Sequence, residues 1–159
     1  MTPPTECLTQ PCPSEGPALE DLSRPGRVIV ALLRGASVSG GGACTLLGES
    51  GLGGRCLAAL VALLGVLAAG GRRPDVAAPR DPVLTLDELA IHDSLAWLQQ
   101  GRPWQVQRLL GSWLAPALVP RAVGLLAVVA EELSRAGLRI TGERAGLRIT
   151  GERSATMLH

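Results

Sequence analysis

Phenylalanine, tyrosine, lysine and asparagine are absent from these 159 residues, and three tryptophans are the only aromatics. All 15 basic residues are therefore arginine. The missing types share AT-rich codons, so the bias reads as the imprint of a GC-rich gene. Without Phe or Tyr the core must be built from Leu, Val and Ala around Trp97, Trp104 and Trp113. Such side chains favour helices over a well-packed sheet. Clustered cations are lacking too: the net charge is +1 and no basic block occurs. That argues against a nucleic-acid partner, which needs several neighbouring cations to displace counterions from phosphates. The aromatic platforms of single-strand binders are likewise missing. Cys7, Cys12, Cys44 and Cys56 match no zinc-ligand spacing, and two histidines cannot complete a Cys/His site. The first residues carry neither the basic nor the apolar region of a signal peptide, so the expected setting is cytoplasmic and reducing, with free thiols.

What is present divides into five stretches. Residues 1–25 form a proline-rich arm, expected to be disordered. Residues 26–71 are a Gly/Ala/Leu-rich apolar segment. In it, "RVIVALLR" (27–34) begins with β-branched residues, "CTLLG" (44–48) has the look of a short strand, and "CLAALVALLGVLAA" (56–69) is an unbroken apolar run. Fourteen residues of helix cover about 21 Å, less than the roughly 30 Å hydrocarbon core of a bilayer. A buried helix is therefore expected, with membrane association through 56–69 as the alternative. Residues 72–82, "RRPDVAAPRDP", read as a linker.

Residues 83–137 carry the sharpest signals and are expected to hold the fold, as three helices within 85–136. Thr85 and Glu88 have the spacing of a capping box. Gly101 suits a left-handed helix stop, and Pro103 the first position of the next helix. Val106, Leu109, Leu110, Trp113 and Leu114 make one apolar stripe, and Ala122, Leu125, Leu126, Val129 and Leu133 another. Short loops between them imply antiparallel neighbours in a small, mainly α bundle. The tail, 138–159, includes most of a direct repeat: "AGLRITGER" stands at 136–144 and again at 145–153. Its two "LRIT" segments, joined by "GERAG", can pair as a short β-hairpin. With one copy removed, "LSRAGLRITGERSATMLH" resembles the opening helix region of ferric-uptake-regulator-type repressors. That likeness covers under twenty residues. The family's recognition helix and metal ligands would lie past it, so it implies no function here.

Two constellations invite a chemical reading. "GESGLGG" (48–54) is similar to the phosphate loop of ABC-type ATPases and septin-type GTPases, with Gly48, Gly51, Gly53, Gly54 and Arg55 as the residues that would face a nucleotide. Such a loop needs a lysine for the β/γ phosphates and a hydroxyl for magnesium. Gly54 and Arg55 stand in those places, so a glycine turn capping a helix is the expected reading, and a degenerate nucleotide loop the alternative. Glu88 and His92, one helical turn apart with Asp87 and Asp93 beside them, supply the start of a metal site but no third ligand. They are expected to be a solvent-facing pair worth about 0.3–0.5 kcal/mol. No cofactor or metal is expected. The favoured function is a non-enzymatic helical module that binds a protein partner or itself through Leu110, Trp113 and Trp104, with Trp104 the tryptophan most expected at the surface.

Overall fold

A computed structural model describes residues 16–38 and 42–141. Among these residues the chain is mainly helical, with six α-helices and no strands. After a 3-10 turn at Leu19–Asp21 come α1 (Arg24–Ser37), α2 (Gly42–Ser50), α3 (Gly54–Ala69), α4 (Leu86–Gln99), α5 (Pro103–Gly111) and α6 (Val119–Arg135). The three helices expected beyond residue 83 are α4, α5 and α6. The hairpin expected across the repeat requires residues 145–150, which lie outside the described residues.

The first half departs from the short strand suggested at "CTLLG" and from the β-branched character of "RVIVALLR". "RVIVALLR" lies within α1 and "CTLLG" within α2. The start of α1 explains the first case. Ser23 Oγ accepts from the Gly26 amide at 3.5 Å, and Pro25 occupies the first turn. Burial then overrides β propensity, because α1 is covered on two sides. Ile29, Leu32 and Leu33 enter the main core, while Val30 packs with Leu84 and Leu89 in a smaller cluster edged by Leu19 and Leu22. A helix places these residues on two adjoining faces, which the alternation of a strand could not do. Residues 16–25 are ordered as well, although they were expected in the arm. The Leu19 amide donates to Pro82 O at 2.7 Å, and the Leu84 amide donates to Pro17 O at 3.0 Å.

One main core runs through the molecule. The apolar run 56–69 forms most of α3 and buries Cys56, Ala59, Leu60, Leu63, Val66 and Leu67. It meets Ala122, Leu126, Val129, Ala130 and Leu133 of α6, and α3 with α6 is the most extensive helix pairing. Small aliphatic residues on both sides permit this close pairing. The helices of 83–137 therefore share their core with α1 and α3. None of the described helices is long and apolar enough to cross a membrane.

The stretch 72–82, read as a linker, is fastened at both ends. Arg72 donates to Asp87 Oδ1 at 2.6 Å, and the Asp75 amide to Asp87 Oδ2 at 2.8 Å. At the start of α4 the capping box is formed in full: Thr85 Oγ1 accepts from the Glu88 amide at 3.1 Å, and Glu88 Oε2 accepts from the Thr85 amide at 3.0 Å. Thr85 Oγ1 also donates to Asp75 O. Arg34 completes the fastening. Its guanidinium donates to Glu88 Oε1 at 2.6 Å and Oε2 at 2.9 Å, and to the carbonyls of Asp81 and Val83 at 2.6 and 2.9 Å. Both charged side chains are fully buried. The hydrogen bonds to Glu88 hold the Arg34 pKa above its ordinary value, against the opposing effect of burial.

Candidate functional site

The glycine frame at 48–54 is a connection between two helices. Gly48 to Ser50 form the last turn of α2, Gly51 takes a left-handed conformation (φ 70°), and the Leu52 amide closes on Leu47 O at 3.0 Å. Buried Leu52 pins this turn to the core, and Gly53 caps α3. A phosphate loop would leave a strand; this turn leaves a helix. The start of α3 is also occupied by negative charge. Glu132 reaches across from α6, Arg55 lies 3.7 Å from its carboxylate, and a side chain at Gly53 would meet that carboxylate. An acidic group there already uses the field that an anion would seek.

Glu88 and His92 depart from the expected solvent-facing pair, since both are buried. Glu88 is committed to Arg34, the Thr85 amide and the Ala77 amide, so every direction of its carboxylate is used inside the fold. His92 Nδ1 lies 3.1 Å from Asp93 Oδ1, and its Nε2 faces Gly26, where α1 comes too close for a side chain. Among the described residues no group of three His, Cys, Asp or Glu is placed to hold a metal ion. The buried Cys56 thiol is pushed up to about 11 by burial and, less strongly, by Glu132. It stays protonated at neutral pH and is a poor nucleophile.

The tryptophans diverge. Trp113 packs partly buried against the core with Arg72 stacked over its ring at 4.3 Å. Leu110 is 2% exposed and belongs wholly to the core. Trp104, by contrast, is 57% exposed on the first turn of α5. With Trp97 from α4 it borders a cleft of about 530 Å³, whose remaining wall is Arg102, Gln105, Arg108, Leu109 and Ser112. The α4–α5 connection builds this cleft. Gly101 turns the chain with φ 72°, the Arg102 amide closes on Trp97 O at 2.8 Å, and α5 starts at Pro103. Residues 102, 105, 108, 109 and 112 then fall on one side of α5 by helical spacing.

The cleft has a distinctive polarity. Two indole rings supply apolar surface, while Arg102 and Arg108 supply two cations that no carboxylate approaches within 4.0 Å among the described residues. Gln105 Oε1 is buried there without a hydrogen-bond partner among the described residues. Of the residues expected to bind a partner, only Trp104 lines this cleft. Trp97, on α4, is missed from sequence because it is expected in the core, and Arg102, Gln105 and Arg108 because they sit on the polar side of the stripe that defines α5. The signal that could have found them is that same side: it bears two arginines and no acid. Comparison with protein-family models, with curated proteins and with solved structures finds no match to this chain.

Proposed function

We propose that this chain is a helical protein-binding module, and that the Trp97–Trp104 cleft is where it receives an acidic segment with an apolar face. The observation that carries this reading is the exposure of Trp104 beside two arginines that have no carboxylate partner among the described residues. A large exposed indole in a cleft is what an interface anchor looks like, since Trp and Arg are enriched among residues that dominate binding energy. Arginine presents a planar fork suited to carboxylates, and its weak hydration favours partly buried pairing. Gln105 Oε1 adds an acceptor for a backbone amide of the incoming chain. The membrane and nucleotide alternatives lack comparable support. The described helices are too short or too polar to span a bilayer, and the glycine frame is a closed turn between helices.

The test is fluorescence anisotropy with a labelled amphipathic peptide bearing Glu and Leu, its charge-reversed Lys counterpart, and a labelled single-stranded oligonucleotide. The acidic peptide should bind in the micromolar range, and Trp104→Ala should weaken it at least tenfold, the loss expected of an anchor residue. Arg102→Glu with Arg108→Glu should slow association and remove its salt dependence. Equal binding of both peptides would refute the charge reading. Preference for the oligonucleotide would refute a protein partner.

A further inference from the structure

The segment that leaves α6 is docked in a manner that the sequence can repeat. After Gly137 turns with φ 72°, the Leu138 amide closes on Leu133 O at 2.8 Å, and the chain runs extended along the end of α4. Gln99, the last residue of α4, grips it like a neighbouring strand. Its Nε2 donates to Leu138 O at 2.9 Å, and its Oε1 accepts from the Ile140 amide at 2.8 Å. Leu138 packs against the core and Ile140 enters it at 4% exposure, while Arg139 and Thr141 face outward. Recognition therefore uses four things: Leu and Ile two residues apart, the carbonyl of the first and the amide of the second.

Residues 145–150, Ala-Gly-Leu-Arg-Ile-Thr, repeat residues 136–141 without a change. Leu147 and Ile149 thus offer the Gln99 cleft the same side chains and the same backbone groups. We propose that residues 145–150 of the same chain are a second occupant of this cleft, taking the place of 136–141 when the first copy is displaced. The two occupants differ only in attachment. The first copy continues directly from the cap of α6, while the second is tethered through the intervening residues, so the first holds the cleft at rest. Seating the second requires residues 136–144 to loop out, and closure cost grows only slowly with loop length. A segment whose pattern fits in two registers is weakly specified in register, and here the sequence supplies both registers in full. A same-chain occupant is favoured because the tether keeps its local concentration far above that of another molecule.

The test uses the full chain and three variants: Ile140→Asp, Ile149→Asp, and both together, each followed by urea unfolding. In Ile140→Asp the charged residue leaves with the loop while Ile149 fills the cleft. Its midpoint should therefore fall less than half as far as that of the double variant, and Ile149→Asp alone should change nothing. By NMR hydrogen exchange, the Ile149 amide should exchange at least tenfold more slowly in Ile140→Asp than in the unaltered chain. A fall in Ile140→Asp equal to that in the double variant overturns the proposal, as does an unaffected double variant. If the rescue strengthens with protein concentration and a dimer appears on size exclusion, the occupant is a second chain and the same-chain assignment is wrong.

Discussion

Replacing Arg34 by Met should be among the most damaging single changes in this protein. Arg34 and Glu88 are fully buried and joined by two charge-assisted hydrogen bonds of 2.6 and 2.9 Å. The substitution removes that charge from beside Glu88 and strips the Asp81 and Val83 carbonyls of their guanidinium donor. Glu88 keeps the Ala77 and Thr85 amides, which soften the loss without neutralising the carboxylate. Breaking a buried pair from one side costs about 3–5 kcal/mol, against a total stability of about 5–15 kcal/mol for a domain. Glu88→Met should cost a similar amount, because it leaves a buried cation. The informative variant carries both changes. It leaves two carbonyls and two amides to find water but no uncompensated charge, so its cost should fall short of the summed single costs by about 1–3 kcal/mol. Urea unfolding followed by ellipticity at 222 nm gives all three values with their slopes. The losses should persist in high salt, since a fully buried pair is poorly screened. Single losses under about 1 kcal/mol, or strict additivity in the double variant, would refute the view that this pair is what fastens the stretch 72–82 to α1 and α4.

Two further outcomes follow from burial. Leu110→Asp puts a carboxylate into the core and should cost several kcal/mol, whereas Gln107→Asp on the exposed side of α5 should cost under about 1 kcal/mol; equal thermal midpoints for the two would contradict the packing of α5. Cys56 gives a pH dependence. Its folded pKa of about 11 stands above the ordinary 9.0, so the contribution is whole below pH 9 and is lost as pH rises to 11. Stability should therefore drop by about 2–3 kcal/mol across that window, at about 1.4 kcal/mol per pKa unit. The chain has no tyrosine or lysine to confuse the titration, and a Cys56→Ala variant that shows the same drop would exclude this thiol as its source.

The second half of the fold was legible because its signals are local. Thr85 and Glu88, Gly101, Pro103 and Gly137 each mark a helix end from within a few residues, and each does so in the structure. The helical character of α1 and α2 was less readable, since β-branched residues at 28–30 obey a burial pattern set by partners distant in sequence. Glu88 shows the limit most clearly. Its bond to the Thr85 amide is three residues away and was foreseen; its bond to Arg34 spans 54 residues and left no local trace. The cleft was half visible. An exposed Trp104 followed from its place at a helix start, but the meeting of Trp97 with Arg102 and Arg108 depends on the angle at which α5 leaves α4.

The placement of the three indoles has an optical consequence. Trp97 lies on α4, Trp104 on α5 and Trp113 just after it, while α1, α2, α3 and α6 carry none. Intrinsic emission therefore samples the surroundings of α4, α5 and the turn after it, whereas far-ultraviolet ellipticity samples all six helices. If the shared core makes unfolding all-or-none, the two traces must superimpose when normalised. If α1 to α3 can loosen first, ellipticity will begin to fall while the emission spectrum stays where it was. A chain without Phe or Tyr thus carries a built-in, spatially confined probe of its own cooperativity.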